Sequence, residues 1–156
     1  MNEYVKRIRS FIGHERIILV GAGVLIYRNG KILLQKRRDS GLWADHGGCV
    51  EIGETLEETA KRELFEETGL TANSLEFFKI YSGKEMLHTY PNGDKVYLIV
   101  TFWICEDFSG QMKIDPDEVV ELKWFDINEM PRKIEPTLKK PFNDFIRYIK
   151  ERDKMW

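Results

Sequence analysis

Residues 48–70 of this chain read GCVEIGETLEETAKRELFEETGL, a glycine-containing segment that runs into a strongly acidic stretch. Within it, Thr55 is followed three residues later by Glu58, which is the spacing of a capping box at the start of a helix. Gly69 stands where a helix commonly ends on a left-handed glycine. The stretch therefore predicts a helix over residues 55–68.

Part of the negative charge on this predicted helix has an ordinary explanation. A run of glutamates is often a solvated helix face with salt bridges. Glu57 and Lys61 are an i,i+4 pair in the favourable order. Glu58 and Arg62 are a second such pair, and Arg62 also reaches Glu66. These residues alone predict an exposed, salt-bridged surface.

Two further glutamates do not fit that explanation. At about 100° per residue, Glu63 and Glu67 fall on the apolar side of the helix, which faces the body of the protein. That side is marked by Leu56, Ala60 and Leu64. Glu63 and Glu67 are also i,i+4 to each other, a destabilising spacing for like charges. Inward carboxylates need compensation, which a hard divalent cation supplies, so the pattern favours a metal site over a surface helix.

Glycines before the helix support the same interpretation. Gly47, Gly48 and Gly53 let the backbone bend sharply and approach other groups closely. A loop of this kind can offer backbone carbonyls to the cation. The alternative is that these glycines only form tight turns.

The rest of the chain predicts a mixed sheet with helices on its faces. Asn29-Gly30 is a strong hairpin signal between two of the strands. The region 41–53 reads as a loop, and Pro91 to Asp94 as a turn. The predicted strands are 17–27, 31–38, 75–81, 96–105 and 119–125, and the other predicted helices are 2–12 and 141–152.

Bulk properties narrow the class of protein. The 156 residues fit one domain, 1–156, with 42% hydrophobic residues and a net charge of −2. The absence of a basic excess argues against an extended nucleic-acid partner. The longest apolar stretch, 17–27, is too short for a membrane span, and the N-terminus lacks the apolar run of a signal peptide. Cys49 and Cys105 read as reduced thiols, so we expect a cytoplasmic protein. Monomer and homodimer both stay open.

The segment 48–70 matches every fixed position of the motif G-x5-E-x7-R-E-U-x-E-E-x-G-U. This is the Nudix box, and the chain resembles the bacterial, MutT-like type of Nudix hydrolase. The flanks agree, with the strand 32–37 before the box and Trp124-Phe125-Asp126 near the end. The resemblance covers about residues 16–150, although only the box is diagnostic.

The resemblance implies an α/β/α sandwich with a mixed β-sheet, in which the box forms loop–helix–loop. It implies hydrolysis of the diphosphate linkage in a nucleoside diphosphate derivative, with Mg²⁺ or Mn²⁺ as cofactor. An alternative is a catalytically silent nucleotide-sensing module, against which the intact Glu63, Glu66 and Glu67 argue. Substrate markers known for some subfamilies are absent at Glu85-Met86-Leu87. Nucleoside triphosphates, sugar nucleotides and a capped RNA 5′ end therefore all stay open.

The same resemblance implies roles for residues of the box. Glu63 and Glu67 match the main metal ligands, and Glu66 matches a further ligand or catalytic carboxylate. The carbonyl of Gly47 matches a backbone ligand.

Arg62, which we place in the catalytic set, and Glu54 match positions that brace the helix and loop. Gly48 and Gly69 match structural glycines of the box. One departure is His46, which stands where the family commonly has proline; it is either a tolerated loop variant or a contact to the phosphates.

Two expected site residues lie outside the box. We expect a cationic side chain on the strand before the box to contact the phosphates. Arg37 is the first choice and Lys36 and Arg38 are alternatives, although such charges also occur on edge strands without function. A further carboxylate, as metal ligand or general base, is expected from the loop before Trp124. Glu118 is the first choice and Glu121 the second; a merely solvated acidic loop is the alternative.

Overall fold

The computed structural model describes residues 2–154. Met1, Met155 and Trp156, at the ends of the predicted domain 1–156, lie outside the described residues. The helices are α1 (Glu3–Ile12), α2 (Leu56–Thr68) and α3 (Lys139–Lys154). The strands are β1 (Ile17–Arg28), β2 (Lys31–Arg37), β3 (Trp43–Ala44), β4 (His46–Cys49), β5 (Thr71–Ala72), β6 (Glu76–Tyr81), β7 (Leu87–Thr89), β8 (Lys95–Cys105), β9 (Phe108–Ser109) and β10 (Val119–Asp126).

The sheet grows from the hairpin that the sequence predicts. Arg28 of β1 pairs with Lys31 of β2 across a two-residue turn. Both turn residues adopt positive φ, 52° at Asn29 and 77° at Gly30. This conformation is typical of a type I′ turn and explains the preference for Asn-Gly, so the hairpin is confirmed.

The sheet is mixed, as predicted. Its main strands lie in the order β10-β2-β1-β8-β6, and β3, β4 and β7 pair at the sides of this path. β1 runs parallel to β8, whereas the other strand pairs are antiparallel. β5 and β9 form a separate two-stranded ladder.

A helix packs on each face of the sheet, which confirms the α/β/α sandwich. On one face Leu25 and Leu34 belong to a buried cluster with Phe145 of α3. On the other face Val24 belongs to a cluster with Leu64 of α2. Consecutive residues of β1 therefore pack on opposite faces, as expected where a strand is buried on both sides.

The prediction that residues 41–53 are only a loop is wrong, because β3 and β4 lie within this range. β4 pairs with β1 through Gly47 and Gly23, and a Cβ on Gly47 would lie 2.8 Å from the Cα of Gly23. Strand segments of two to four residues rich in glycine carry no apolar alternation, so periodicity did not detect them.

α1 packs against the first part of β1 and the start of β8. Its N-cap Asn2 accepts a hydrogen bond from the Val5 backbone N–H. Val5 packs with Leu19 and Val96. Across residues 2–154, no helix is both long and apolar enough to cross a membrane.

Candidate active site

Local signals of the box fix the helix α2 at both ends. The Thr55 hydroxyl accepts a hydrogen bond from the Glu58 backbone N–H at 3.1 Å, and the Glu58 carboxylate accepts one from the Thr55 N–H at 2.8 Å. Gly69 ends the helix with φ of 74°. The predicted capping box and terminal glycine are therefore confirmed.

One edge of β4 faces α2 and binds it through backbone groups. The Gly47 N–H donates to Glu67 Oε2 at 3.0 Å, and the Cys49 carbonyl accepts from Arg62 Nη2 at 3.1 Å. In an antiparallel ladder the N–H and C=O of one residue point to the same side. The Gly47 carbonyl, a predicted metal ligand, therefore lies on the edge that faces α2.

Glu67 is the most buried carboxylate of the box, with 5% of the residue exposed. Its Oε2 accepts a second hydrogen bond from Gln35 Nε2 at 2.7 Å, and His46 Nδ1 lies 3.8 Å away. Burial, followed by the charges of Glu63 and Asp45, raises the pKa of Glu67 well above its ordinary value. A site that disfavours an ionised carboxylate in this way favours a bound cation.

Glu63 lies beside Glu67 and is also partly buried, with 13% of its side chain exposed. Burial is the main cause that raises its pKa, while Arg62, at 2.8 Å, opposes the rise. Both glutamates thus lie inward, as their helical positions predict.

Arg62 is held mainly by a residue outside the helix. Its guanidinium donates to Glu54 at 2.5 and 3.0 Å. Glu54 also accepts bonds from the Thr59 hydroxyl and the Glu51 backbone N–H. Its pKa falls to about 2, chiefly because of Arg62. The predicted Glu58–Arg62 pair is wrong, because Glu58 turns back to the capping box.

A cleft runs along α2 and is lined by Glu63 and Glu67. The structure brings Glu66 and Glu118 to the same cleft. Glu66 is half exposed and lies 3.3 Å from Arg62. Glu118 lines the cleft, and its charge contributes to the raised pKa of both Glu63 and Glu67. Glu121 is not among the described residues that line it.

Of the three predicted cationic residues, Arg37 is the one placed at this cleft. It donates to both oxygens of Asp39, at 2.8 and 2.9 Å, and lies 3.6 Å from Glu135. Lys36 lies opposite Glu121 in the ladder between β2 and β10, and it is not among the cleft-lining residues of the described chain. Arg38 donates instead to the carbonyl of Pro116, in the loop that carries Glu118.

The acidic cleft has a volume of ≈ 620 Å³ and continues into a smaller, mostly apolar pocket of ≈ 110 Å³. Arg37 and Tyr90 line both. A buried carboxyl, Asp45, faces the smaller pocket, and burial raises its pKa to about 7. The other side chains of this pocket are mainly apolar and include Met86, Leu98, Val100, Phe102 and Leu138. The polar exceptions are His88, Glu135 and Thr137.

The donor groups fit a hard divalent cation. Within residues 2–154, no three acidic, His or Cys side chains already converge on one point. Arg62 bonds to Glu63 and Glu66, whereas Glu67 bonds to Gln35 instead. The cleft still combines several carboxylates, two of them with raised pKa values, and the backbone edge of Gly47; these are oxygen donors of the type that Mg²⁺ and Mn²⁺ prefer.

Sequence reasoning missed several residues of the site. Gln35 could have been noticed as the polar residue after an apolar run in a strand. Asp45 and His88 carried no signal, because they come together only when β4 pairs with β1 and β7 pairs with β8.

The fold and the site together define the class of protein, an α/β/α sandwich with an acidic cleft along one helix. A family model described as the NUDIX domain matches residues 18–145. An ADP-ribose pyrophosphatase of Methanocaldococcus jannaschii is 31% identical over 147 residues, covering 92% of this chain and 80% of that protein. The chain belongs to the Nudix hydrolase family, whose members generally use divalent cations.

Further similarities agree with this family. An oxidized purine nucleoside triphosphate hydrolase of Danio rerio is 36% identical over 69% of this chain and 66% of that protein. The crystal structure of a MutT NUDIX hydrolase from Burkholderia pseudomallei superposes with a TM-score of 0.70 at 26% identity, covering 81% of this chain and 97% of that one. The chain spans less than half the length of the NAD-capped RNA hydrolases that it also matches.

Proposed function

We propose that this protein hydrolyses the diphosphate linkage of a nucleoside diphosphate derivative in a Mg²⁺-dependent reaction. The observation that carries the proposal is the junction of the acidic cleft with the mostly apolar pocket at Arg37 and Tyr90. A ligand with a flat, weakly polar ring beside a polyanion matches these two surfaces. Nucleoside triphosphates, sugar nucleotides and related small nucleotides all have this form.

Glu63, Glu66, Glu67 and the Gly47 carbonyl would hold the cation, Mg²⁺ or Mn²⁺. A cation bound there supplies charge neutralisation for the phosphates and acidifies the attacking water. Arg62 keeps Glu63 and Glu66 together on one side of the cleft, so it acts on the catalytic carboxylates through two hydrogen bonds.

Two residues outside the box complete the proposed site. Glu118, which lines the cleft and belongs to the loop before β10, serves as a further ligand or as the general base. Arg37 binds phosphate oxygens, for which its planar guanidinium is suited. Because Asp39 and Glu135 already hold Arg37, its position is set before substrate arrives.

The names of similar proteins support this class of substrate without selecting a member. ADP-ribose, oxidised purine nucleoside triphosphates and NAD-capped RNA are the substrates that three relatives are named for. Each contains a nucleoside joined to a diphosphate, so the shared requirement is a nucleoside pocket next to a cleft that binds diphosphate.

The test is a panel of nucleoside triphosphates, ADP-ribose, sugar nucleotides and NAD-capped RNA, assayed for released phosphate, diphosphate or monophosphate. We expect turnover with Mg²⁺ or Mn²⁺, complete loss with EDTA, and recovery when excess metal is added. Turnover that EDTA does not affect would contradict the metal dependence. Nucleotide binding without turnover of any panel member would favour the silent sensing module instead.

A further inference from the structure

The side chain of Gln35 is buried in β2 directly after the apolar residues Ile32, Leu33 and Leu34. Only 3% of Gln35 is exposed, although burying an amide costs free energy unless the amide is hydrogen-bonded. A buried amide at the bottom of the acidic cleft therefore needs partners, and it has two.

Both partners belong to the box region. Gln35 Nε2 donates one hydrogen bond to the Asp45 carbonyl and another to Glu67 Oε2, each at 2.7 Å. The Asp45 carbonyl can only accept a hydrogen bond, so the amide end that lies between it and Glu67 Oε2 is the NH₂ end. The two bonds connect the strand β2 to the segment before β4 and to the helix α2.

His46 cannot make the bond that Gln35 makes. His46 Nε2 lies 3.0 Å from the Leu33 carbonyl, so in a neutral ring the proton is on Nε2 and Nδ1 is an acceptor. Nδ1 is buried without a hydrogen-bond partner within residues 2–154 and lies 3.8 Å from Glu67 Oε2. The N–H donors to Glu67 Oε2 are therefore Gln35 and the Gly47 backbone.

We infer that Gln35 is a positioning residue that fixes Glu67 for metal binding. With Oε2 held by two N–H donors, the carboxylate cannot rotate, and its other oxygen, Oε1, is the one left to meet a cation from the cleft. The same bonds make Glu67 a ligand through one oxygen only. This inference rests on the proposed function, since it assumes that Glu67 is a metal ligand.

The test measures metal binding by the whole protein without substrate. Gln35→Met keeps the length of the side chain but removes both donors. We expect the Mn²⁺ dissociation constant, from calorimetry or from the electron paramagnetic resonance signal of free Mn²⁺, to rise ~10–100-fold, as is usual when a partner of a ligand is lost. The half-saturating Mg²⁺ concentration for turnover should rise in parallel, whereas kcat at saturating metal should change much less. Gln111→Met, the same change at an exposed position, is the control.

If the role of Gln35 is only structural, Gln35→Met will lower the melting temperature and leave the metal affinity of the folded protein unchanged. That result would overturn the inference. If Gln35→Met does not fold, Gln35→Asn replaces it, because an amide one methylene shorter cannot reach both acceptors; the same rise in dissociation constant is expected. Failure of the wild-type protein to bind Mn²⁺ or hydrolyse any nucleotide would refute the proposed function, which is a different outcome.

Discussion

The backbone of Gly48 lies directly against the carboxylate of Glu63. A Cβ built on Gly48 would collide with all three atoms of that carboxylate group, which lie closer than any real Cβ contact allows. The φ of Gly48 is not positive, so space rather than backbone conformation requires glycine here. The first glycine of the box thus leaves room for a candidate ligand.

Gly48→Ala should therefore lower activity by displacing Glu63. We expect a loss of up to ~10²-fold in kcat, the cost of a displacement near 1 Å in an active site. Steady-state kinetics at saturating Mg²⁺ would measure it. Because the effect acts through Glu63, Gly48→Ala should add little in a Glu63→Gln background. Full, additive losses in the double variant would contradict this explanation.

Glu67→Gln keeps the size of the side chain and removes its charge. It should lower kcat by ~10³ or more, about 4 kcal/mol of transition-state stabilisation. Without metal, the free energy of unfolding should hold or rise, because burial and neighbouring charges disfavour the ionised carboxylate. Glu57→Gln is the matched control, since Glu57 pairs with Lys61 on the outer face. Equal activity of the two variants would show that the assignment of Glu67 is wrong.

Glu118→Gln should lower kcat by ~10²–10⁴ if Glu118 is a general base, with little change in Mg²⁺ affinity. If Glu118 is a ligand, the half-saturating Mg²⁺ concentration should rise as well. Glu121→Gln is the comparison, because Glu121 lies in β10 opposite Lys36, away from the cleft. A large loss in Glu121→Gln with Glu118→Gln near wild type would reverse the assignment.

His46 should make stability depend on pH. Burial lowers its pKa to about 4, from about 6.5 in an unfolded chain. As the pH falls from 6.5 to 4, His46 binds a proton in the unfolded state before it does so in the folded state. The free energy of unfolding therefore falls by up to about 3 kcal/mol. This contribution is fully present above pH 6.5 and is lost by about pH 4.

His46→Phe removes that dependence. At pH 7.5 the variant should be less stable by roughly 1–3 kcal/mol, since the Leu33 carbonyl loses its donor. Urea unfolding at pH 7.5, 5.5 and 4.5 should show this difference shrinking as the pH falls. A constant difference across the three pH values would mean that His46 does not titrate as its burial requires.

The sequence determined the features that depend on neighbours a few residues apart. The capping box at Thr55 and the Asn29-Gly30 hairpin are local interactions, so their residue types carry the information. That Glu63 and Glu67 lie on the inward face of the helix follows from helical geometry alone. The box motif, read as a resemblance, identified the family that the comparisons then confirmed.

Tertiary structure alone decided the partners that box residues take outside the helix. The helix offered Arg62 a local partner in Glu58, but Arg62 binds Glu54 because the loop before α2 folds back over it. Gln35 meets Glu67 from 32 positions away, through the packing of β2 under α2. Contacts of this kind depend on how strands and helices dock, and one sequence carries no short-range pattern that encodes the docking.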